Sequence, residues 1–267
     1  MSSLRLACGA LAVALVAACD APGPSDMLIF IDGRAVAASG DTLLAFSRLG
    51  TSEIVVRDRR SGAVYRRGTN TLRSPHHIQE LDGRWYVSDV EEGAASVVVF
   101  SGQWDPERRI PLRDVASAPH QFAVLPGGRV VVEATDGRLV AVGADSAATF
   151  ALVEQSGRTG LLVAAAGGVL HAVPDRSITL YNAQGNIRWR LPWPWQEGAF
   201  VTDIAVDGQG RVHVLAGEEL RNTFVCFSLS PTTGEVIRWS VPGPAATFIV
   251  ERMGEIRPDS TAHWIGD

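Results

Sequence analysis

The chain has 267 residues, 46% of them apolar and 20% charged, enough apolar surface for a sizeable core and too little charge for a mainly disordered chain. Twenty-four basic residues stand against 29 acidic ones, a net charge of −5 with no long basic run, which argues against a nucleic-acid partner. All 24 basic residues are Arg, so a Schiff-base lysine, a P-loop lysine and a Ser-Lys dyad are excluded.

At the N-terminus, Met1–Arg5 carries one positive charge and Leu6–Val16 is an uninterrupted apolar run. That run is too short to span a bilayer at ~1.5 Å per helical residue, and it reads as a secretory signal peptide over 1–18. It ends Val16-Ala17-Ala18-Cys19, which resembles the lipobox of bacterial lipoproteins. The resemblance implies that Cys19 becomes the lipidated first residue of an exported chain, tethered to a membrane of the cell envelope. Residues 19–25, rich in Pro and Gly, suit a flexible tether. Ordinary cleavage with Cys19 incidental is the alternative. Cys8 leaves with the signal, and Cys226, inside Phe224-Val225-Cys226-Phe227, is expected to be a buried strand residue.

Residues 26–267 carry a repeat. A short apolar stretch, a Gly turn, an alternating β-branched stretch, a loop and another apolar stretch recur along the chain. The turn glycines at 40, 83, 128, 168, 210 and 254 are spaced by 40–45 residues. Such a period, with period-2 apolar alternation and almost no helical pattern, predicts an all-β, six-bladed β-propeller with four strands per blade. Few residues follow Gly254, so Met27–Ile31 is expected to supply the missing outer strand of the sixth blade and close the ring. Five blades and a cap is the other arrangement.

The second unit reads Pro75-His76-His77-Ile78, then Gly83, then Tyr86-Val87-Ser88-Asp89 and Val97–Phe100. It resembles the NHL-type repeat of six-bladed propellers, with partial copies at Pro119–Val132 and Thr202–Val214. Blade ends such as Gln184–Trp189 and Thr233–Trp239 resemble the T-G-x-x-x-W hairpins of quinoprotein-type propellers. In physical terms each is a tight Gly turn with an aromatic wedge between blades. No cofactor is expected.

A propeller with this strand order sends its interblade linkers out on one face. That face is expected to gather Arg73, His76, His77, Arg113, His120, Arg158, Asp89 and the Pro-fixed pair Trp193 and Trp195; the indoles either stack on a partner or fill the groove between the fourth and fifth blades, and the Arg residues either bind an anion or pair with nearby acids. His76 and His120 follow Pro in equivalent units; paired imidazoles there suit a divalent metal, and hydrogen bonding of the Pro-His dipeptides to neighbouring blade backbones is the other reading. The peptide-amidating and streptogramin-inactivating lyases share such a fold, but equivalent positions of other blades offer Gly160 and Thr202, with no third ligand. His171 and His213 each lie three residues after a turn glycine, where the second unit has Tyr86, and read as packing residues.

The reading that results is a monomeric, membrane-anchored extracytoplasmic propeller that binds an envelope protein or small ligand through its loop-rich face without chemistry. A metal-dependent lyase or hydrolase at the channel mouth is the alternative.

Overall fold

Alternating Val, Ile and Leu build strands along the chain, and tight turns fold each strand back on the one before it. The computed structural model describes residues 33–39, 43–48, 52–58, 60–90, 95–112, 115, 121–143, 147–153, 160–194, 200–207, 209–218, 223–240, 247–250 and 256–259. The signal segment, the Cys19 tether and the closing strand expected at 27–31 lie outside the described residues.

The first sheet comprises β1 (Gly33–Ser39), β2 (Leu43–Arg48), β3 (Ile54–Asp58) and β4 (Val64–Arg67). The second comprises β5 (Pro75–Leu81), β6 (Arg84–Asp89), β7 (Ser96–Phe100) and β8 (Pro106–Pro111). The third has β9 (Ala123–Val124), β10 (Val130–Glu133), β11 (Arg138–Val142) and β12 (Ala147–Leu152). The fourth has β13 (Leu161–Ala165), β14 (Gly168–Val173), β15 (Ser177–Tyr181) and β16 (Ile187–Pro192). The fifth has β17 (Phe200–Val206), β18 (Val212–Glu218), β19 (Thr223–Leu229) and β20 (Val236–Ser240). A two-stranded sheet, β21 (Thr247–Val250) and β22 (Ile256–Asp259), follows.

Each four-stranded sheet is an antiparallel meander in chain order. The first strands β1, β5, β9, β13, β17 and β21 lie against one another in succession, and β21 also lies against β1. Radial four-stranded meanders with their first strands innermost make a β-propeller.

Packing follows from burial on both faces. The middle strands carry near-continuous apolar runs because neither face meets water. In β7, Val97, Val98, Val99 and Phe100 are all 1% exposed or less. Val98 and Phe100 turn back to Ile54 and Val56 of the first sheet. Val97 and Val99 turn forward to Phe122, Val130 and Val132 of the third. In the fourth sheet Leu162, Val169 and Tyr181 face the third, while Leu170, Ile178 and Trp189 face the fifth. Each buried side chain of this size contributes roughly 1.5–3 kcal/mol.

The hairpin signature has a specific physical basis. Trp189, 8% exposed, reaches the outer hairpin of the next blade, where its indole N–H donates to the Pro231 carbonyl at 3.2 Å. Gly234 of that hairpin has φ +75° and lies on the Trp189 ring, with no room for a Cβ. Glycine is therefore required twice over, by backbone and by space.

One register differs from the sequence reading. The turn into β14 is Ala166–Gly167, with Ala165 paired to Gly168, as Leu81 is paired to Arg84 across Asp82–Gly83. Both residues of each turn have positive φ, the geometry of a two-residue hairpin. Gly168 is already in the strand, so His171 takes the position of Val87 and not of Tyr86. His213 does match Tyr86. The two histidines therefore face opposite neighbours.

Candidate functional site

The linker-bearing end of the second blade gathers four of the described candidate residues, Arg73, His76, His77 and Asp89. The register of β5 against β6 breaks between Pro75 and Ile78, so His76 and His77 together stand opposite Ser88. A bulge of this kind re-aims side chains at a strand end. The innermost strand β17 breaks at the matching place, between Val201 and Asp203.

The two histidines have different surroundings. His77 donates its backbone N–H to Ser88 Oγ at 2.8 Å, and its ring meets Phe122 edge-on at 4.9 Å. Burial against this apolar neighbour lowers its pKa to about 4, so the ring is neutral at pH 7. His76 is half-buried, with Nε2 3.4 Å from Ser74 Oγ. His120, its expected companion, lies outside the described residues, as do Arg113, Arg158 and Trp195.

Asp89 is fully buried, with its carboxylate turned inward. Oδ1 accepts the backbone N–H groups of Arg73 and Ser74, both at 2.8 Å. Oδ2 accepts from Arg109 at 2.9 Å. The Arg109 guanidinium also reaches Ser96 Oγ and the Thr71 carbonyl, each at 2.6 Å. One carboxylate thus ties the linker from the first blade to three strands of the second. Charge-assisted bonds offset its desolvation. Arg73 is held by its backbone, through Asp89 and through its carbonyl, which accepts from Ser52 at 3.1 Å, while its side chain is exposed.

The same device recurs around the ring. Gln79 Oε1 accepts from the Val124 N–H, between the innermost strands β5 and β9, and Gln121 Oε1, just before β9, accepts from the Leu162 N–H of β13, both at 3.1 Å. Glu133 accepts from the Gly160 N–H at 2.9 Å and from His171 Nε2 at 3.2 Å. Composition alone did not reveal these ties. Their trace in the sequence is a polar residue in or beside an apolar strand: Gln79 within β5, Gln121 just before β9 and Glu133 at the end of β10.

Trp193 follows β16, and its backbone N–H donates to the Arg176 carbonyl at 3.0 Å. Its half-buried ring packs edge-on to Phe227 at 6.2 Å, between the fourth and fifth blades.

A second polar chain, unforeseen in the sequence, lies in the fifth blade. Asp207 Oδ2 is 3.0 Å from His213 Nε2, and Ser228 Oγ is 2.9 Å from His213 Nδ1. Burial raises the Asp207 pKa, but bonds from His213 and Arg211 and the amides of Arg211 and Gln209 outweigh it and hold the carboxyl below its usual range. In the neutral ring, Nε2–H then donates to Asp207 and the Ser228 hydroxyl donates to Nδ1. That order suits activation of a nucleophile. The Ser228 side chain is nevertheless buried in the sheet, and the chain joins a turn to two strands.

Among the described residues, no three His, Cys, Asp or Glu side chains converge to hold a metal ion.

No family model and no curated protein sequence matches the chain. Solved structures match in fold. A streptogramin B lyase aligns over 84% of this chain and 75% of its own, at 16% identity and TM-score 0.63. Virginiamycin B lyase from Staphylococcus aureus aligns over 82% and 74%, at 12% identity and TM-score 0.60. A protein of unknown function from Bacteroides thetaiotaomicron covers 84% of this chain and 66% of its own, at 12% identity and TM-score 0.63. Identities this low establish the β-propeller fold and nothing of the activity.

Proposed function

We propose that the protein is a lipid-anchored propeller of the bacterial cell envelope that binds a protein or small ligand on its linker-bearing face, without chemistry. One observation carries this reading. Buried and half-buried polar groups at and near that face are spent on fixing backbone: Asp89 holds Arg73 and Ser74, Glu133 holds Gly160, and Gln121 holds Leu162. Backbone pinned in this way leaves the strand ends beside the linkers with little ordering left to lose on binding. Cys19 is the anchor and residues 19–25 are the tether. The ring has six blades, the last shared between β21–β22 and residues 27–31, a reading supported by the contact of β21 with both β17 and β1.

The test uses the full-length lipoprotein. Wild type captures a defined partner from its own envelope extract, and Arg73→Ala with Trp195→Ala loses it while keeping its melting temperature. Equal capture by the variant overturns the face assignment. Cys19→Ala should leave the membrane fraction, and unchanged partitioning would remove the anchor.

The alternative is a metal-dependent lyase or hydrolase at the channel mouth. The fold likeness to two lyases and the bulge carrying His76 favour it. Stoichiometric metal in the purified protein, abolished by His76→Ala/His120→Ala, would put this reading first.

A further inference from the structure

The third and fourth blades part towards their outer edge, leaving a pocket of about 290 Å³. It lies apart from His76 and His77. The fourth blade lines it with His171 of β14, its register partner Thr179 of β15, and Ser177 in the next row. All three are buried. The third blade contributes Leu152 and Val153, at and just beyond the end of β12.

The buried wall has a definite hydrogen-bonding order. Glu133 Oε2 accepts the Gly160 N–H at 2.9 Å and lies 3.2 Å from His171 Nε2. A carboxylate oxygen accepts, so Nε2 carries the hydrogen, and Nδ1 of the neutral ring is an acceptor. The Nε2–Cδ2 edge of the ring rests on Gly160, where a Cβ would collide with it. Nδ1 therefore lies on the opposite edge, away from the start of β13. Among the described residues no donor meets Nδ1, and Nε2 makes the ring's hydrogen bond. The Ser177 and Thr179 hydroxyls, 3.3 Å apart, bond to each other and keep one O–H to give. A buried acceptor and a buried O–H beside one space are satisfied together by a group that gives one hydrogen bond and takes another. A hydroxyl does both, whereas an ionised carboxylate only accepts. The mouth is apolar: Leu152 of the third blade is 77% exposed and Ile187 of the fourth 56%. A ligand with a carbon body would cover both. The volume is at the lower end of small-ligand sites.

We propose that this interblade pocket is a binding site for a small neutral alcohol. Its hydroxyl donates to His171 Nδ1 and accepts from the Ser177–Thr179 pair. Its short carbon chain lies against Leu152 and Ile187. Arg176 and Arg190 also line the pocket, so an organic anion is the rival occupant, and water is the simplest one. The site is independent of the linker-bearing face, so it stands or falls separately from the binding role proposed for that face.

Nuclear magnetic resonance titration of the purified protein, carrying isotope-labelled histidine, tests the site with hexanol and hexanoate as probes above neutral pH. Hexanol should saturate in the millimolar range or below, and hexanoate should bind roughly tenfold more weakly. The His171 Nδ1 resonance should move as that nitrogen gains a donor. Thr179→Val keeps the shape of the side chain and should weaken hexanol roughly threefold or more. Leu152→Asn changes an exposed position and should weaken it to a similar degree by removing an apolar wall. Failure of hexanol to saturate, leaving water as the occupant, overturns the proposal. Hexanoate binding as tight as hexanol also overturns it, and so does a His171 Nδ1 resonance that stays in place. Equal hexanol binding by wild type and a folded Thr179→Val does the same. Circular dichroism shows whether that variant folds, and Leu152→Asn carries the same test if it does not.

Discussion

The interface between the second and third blades is filled with apolar side chains, whereas that between the third and fourth opens into a pocket, although both use the same strand positions. In the third blade the cross-strand pair Val132 and Val140 faces the second and is buried against it. In the fourth blade the corresponding pair is His171 and Thr179. Thr keeps the shape of Val and adds a hydroxyl. His takes the next position with a ring that reaches Glu133 on the neighbouring blade. The repeat therefore sets where a side chain points, and departures from the repeat set where a blade interface stops being plain core. Polar substitutions in a propeller are most informative when read against the equivalent residue of the next blade.

The filled interface should be the costlier to disturb. Phe122 is fully buried there, among Tyr86, Val97 and Ile110. Phe122→Ala should cost about 3–5 kcal/mol, read from denaturant unfolding, because the close-packed surroundings relax only in part. A loss below 1 kcal/mol would mean that this interface is no tighter than the open one. Asp89→Ala comes next. It strands two backbone amides and the Arg109 guanidinium, whose side chain is 43% exposed and recovers some hydration. The expected cost is about 3 kcal/mol, and Asp89→Asn should recover part of it by keeping an acceptor.

Acid sharpens the same contrast, because His77 lies at the filled interface and is neutral. Its pKa, lowered to about 4, lies below the 6.5 of the unfolded ring, so the unfolded chain takes up the proton first. The stability it permits is complete above pH 6.5 and is lost as pH falls towards 4, by about 2 kcal/mol, less than the full shift because the residue is only half-buried. His77→Leu should flatten the stability profile across that window. The Asp207 carboxyl is held below its usual value and acts in a separate, lower window. An unchanged slope between pH 6.5 and 4 would show that His77 is accessible to protons in the folded ring.

Much of this architecture was legible in the sequence, because period-2 alternation and turn glycines are local signals. The alternating Val and Ile runs became the middle strands, and the Gln184–Trp189 and Thr233–Trp239 segments became outer hairpins. What escaped was a matter of one residue or of one partner. Choosing Gly168 over Gly167 as the turn shifts β14 by one position, and in a strand that single step exchanges the two faces. Asp89 looked like a surface carboxylate because its partners, Arg109 and the Arg73 and Ser74 amides, come from distant strands and from backbone. The pocket was invisible for a similar reason: Leu152 and Arg190 are far apart in the chain and meet only when two blades pack.

The smallest expected effect is the most direct test of how the open interface arose. Restoring the third blade's pair with His171→Val/Thr179→Val removes one imidazole and one hydroxyl, and both side chains are at most 4% exposed. Thr179→Val alone deprives Ser177 Oγ of its partner at 3.3 Å, but Ser177 lines the pocket, where water can replace that bond. The cost should stay within about 1 kcal/mol. His171→Val alone takes one donor from Glu133, which keeps the Gly160 N–H, and a loss of about 1 kcal/mol is expected. The two residues are register partners, so their changes should not add. A Val–Val pair packs across the strands as Val132 and Val140 do, and the double variant should lose less than the sum of the single losses. Thermal unfolding of the four proteins in the cycle measures this coupling. A double variant that loses the full sum or more would mean that the polar pair is needed for the blades to meet at all. The pocket would then be a structural requirement of this interface and not a local departure from the repeat.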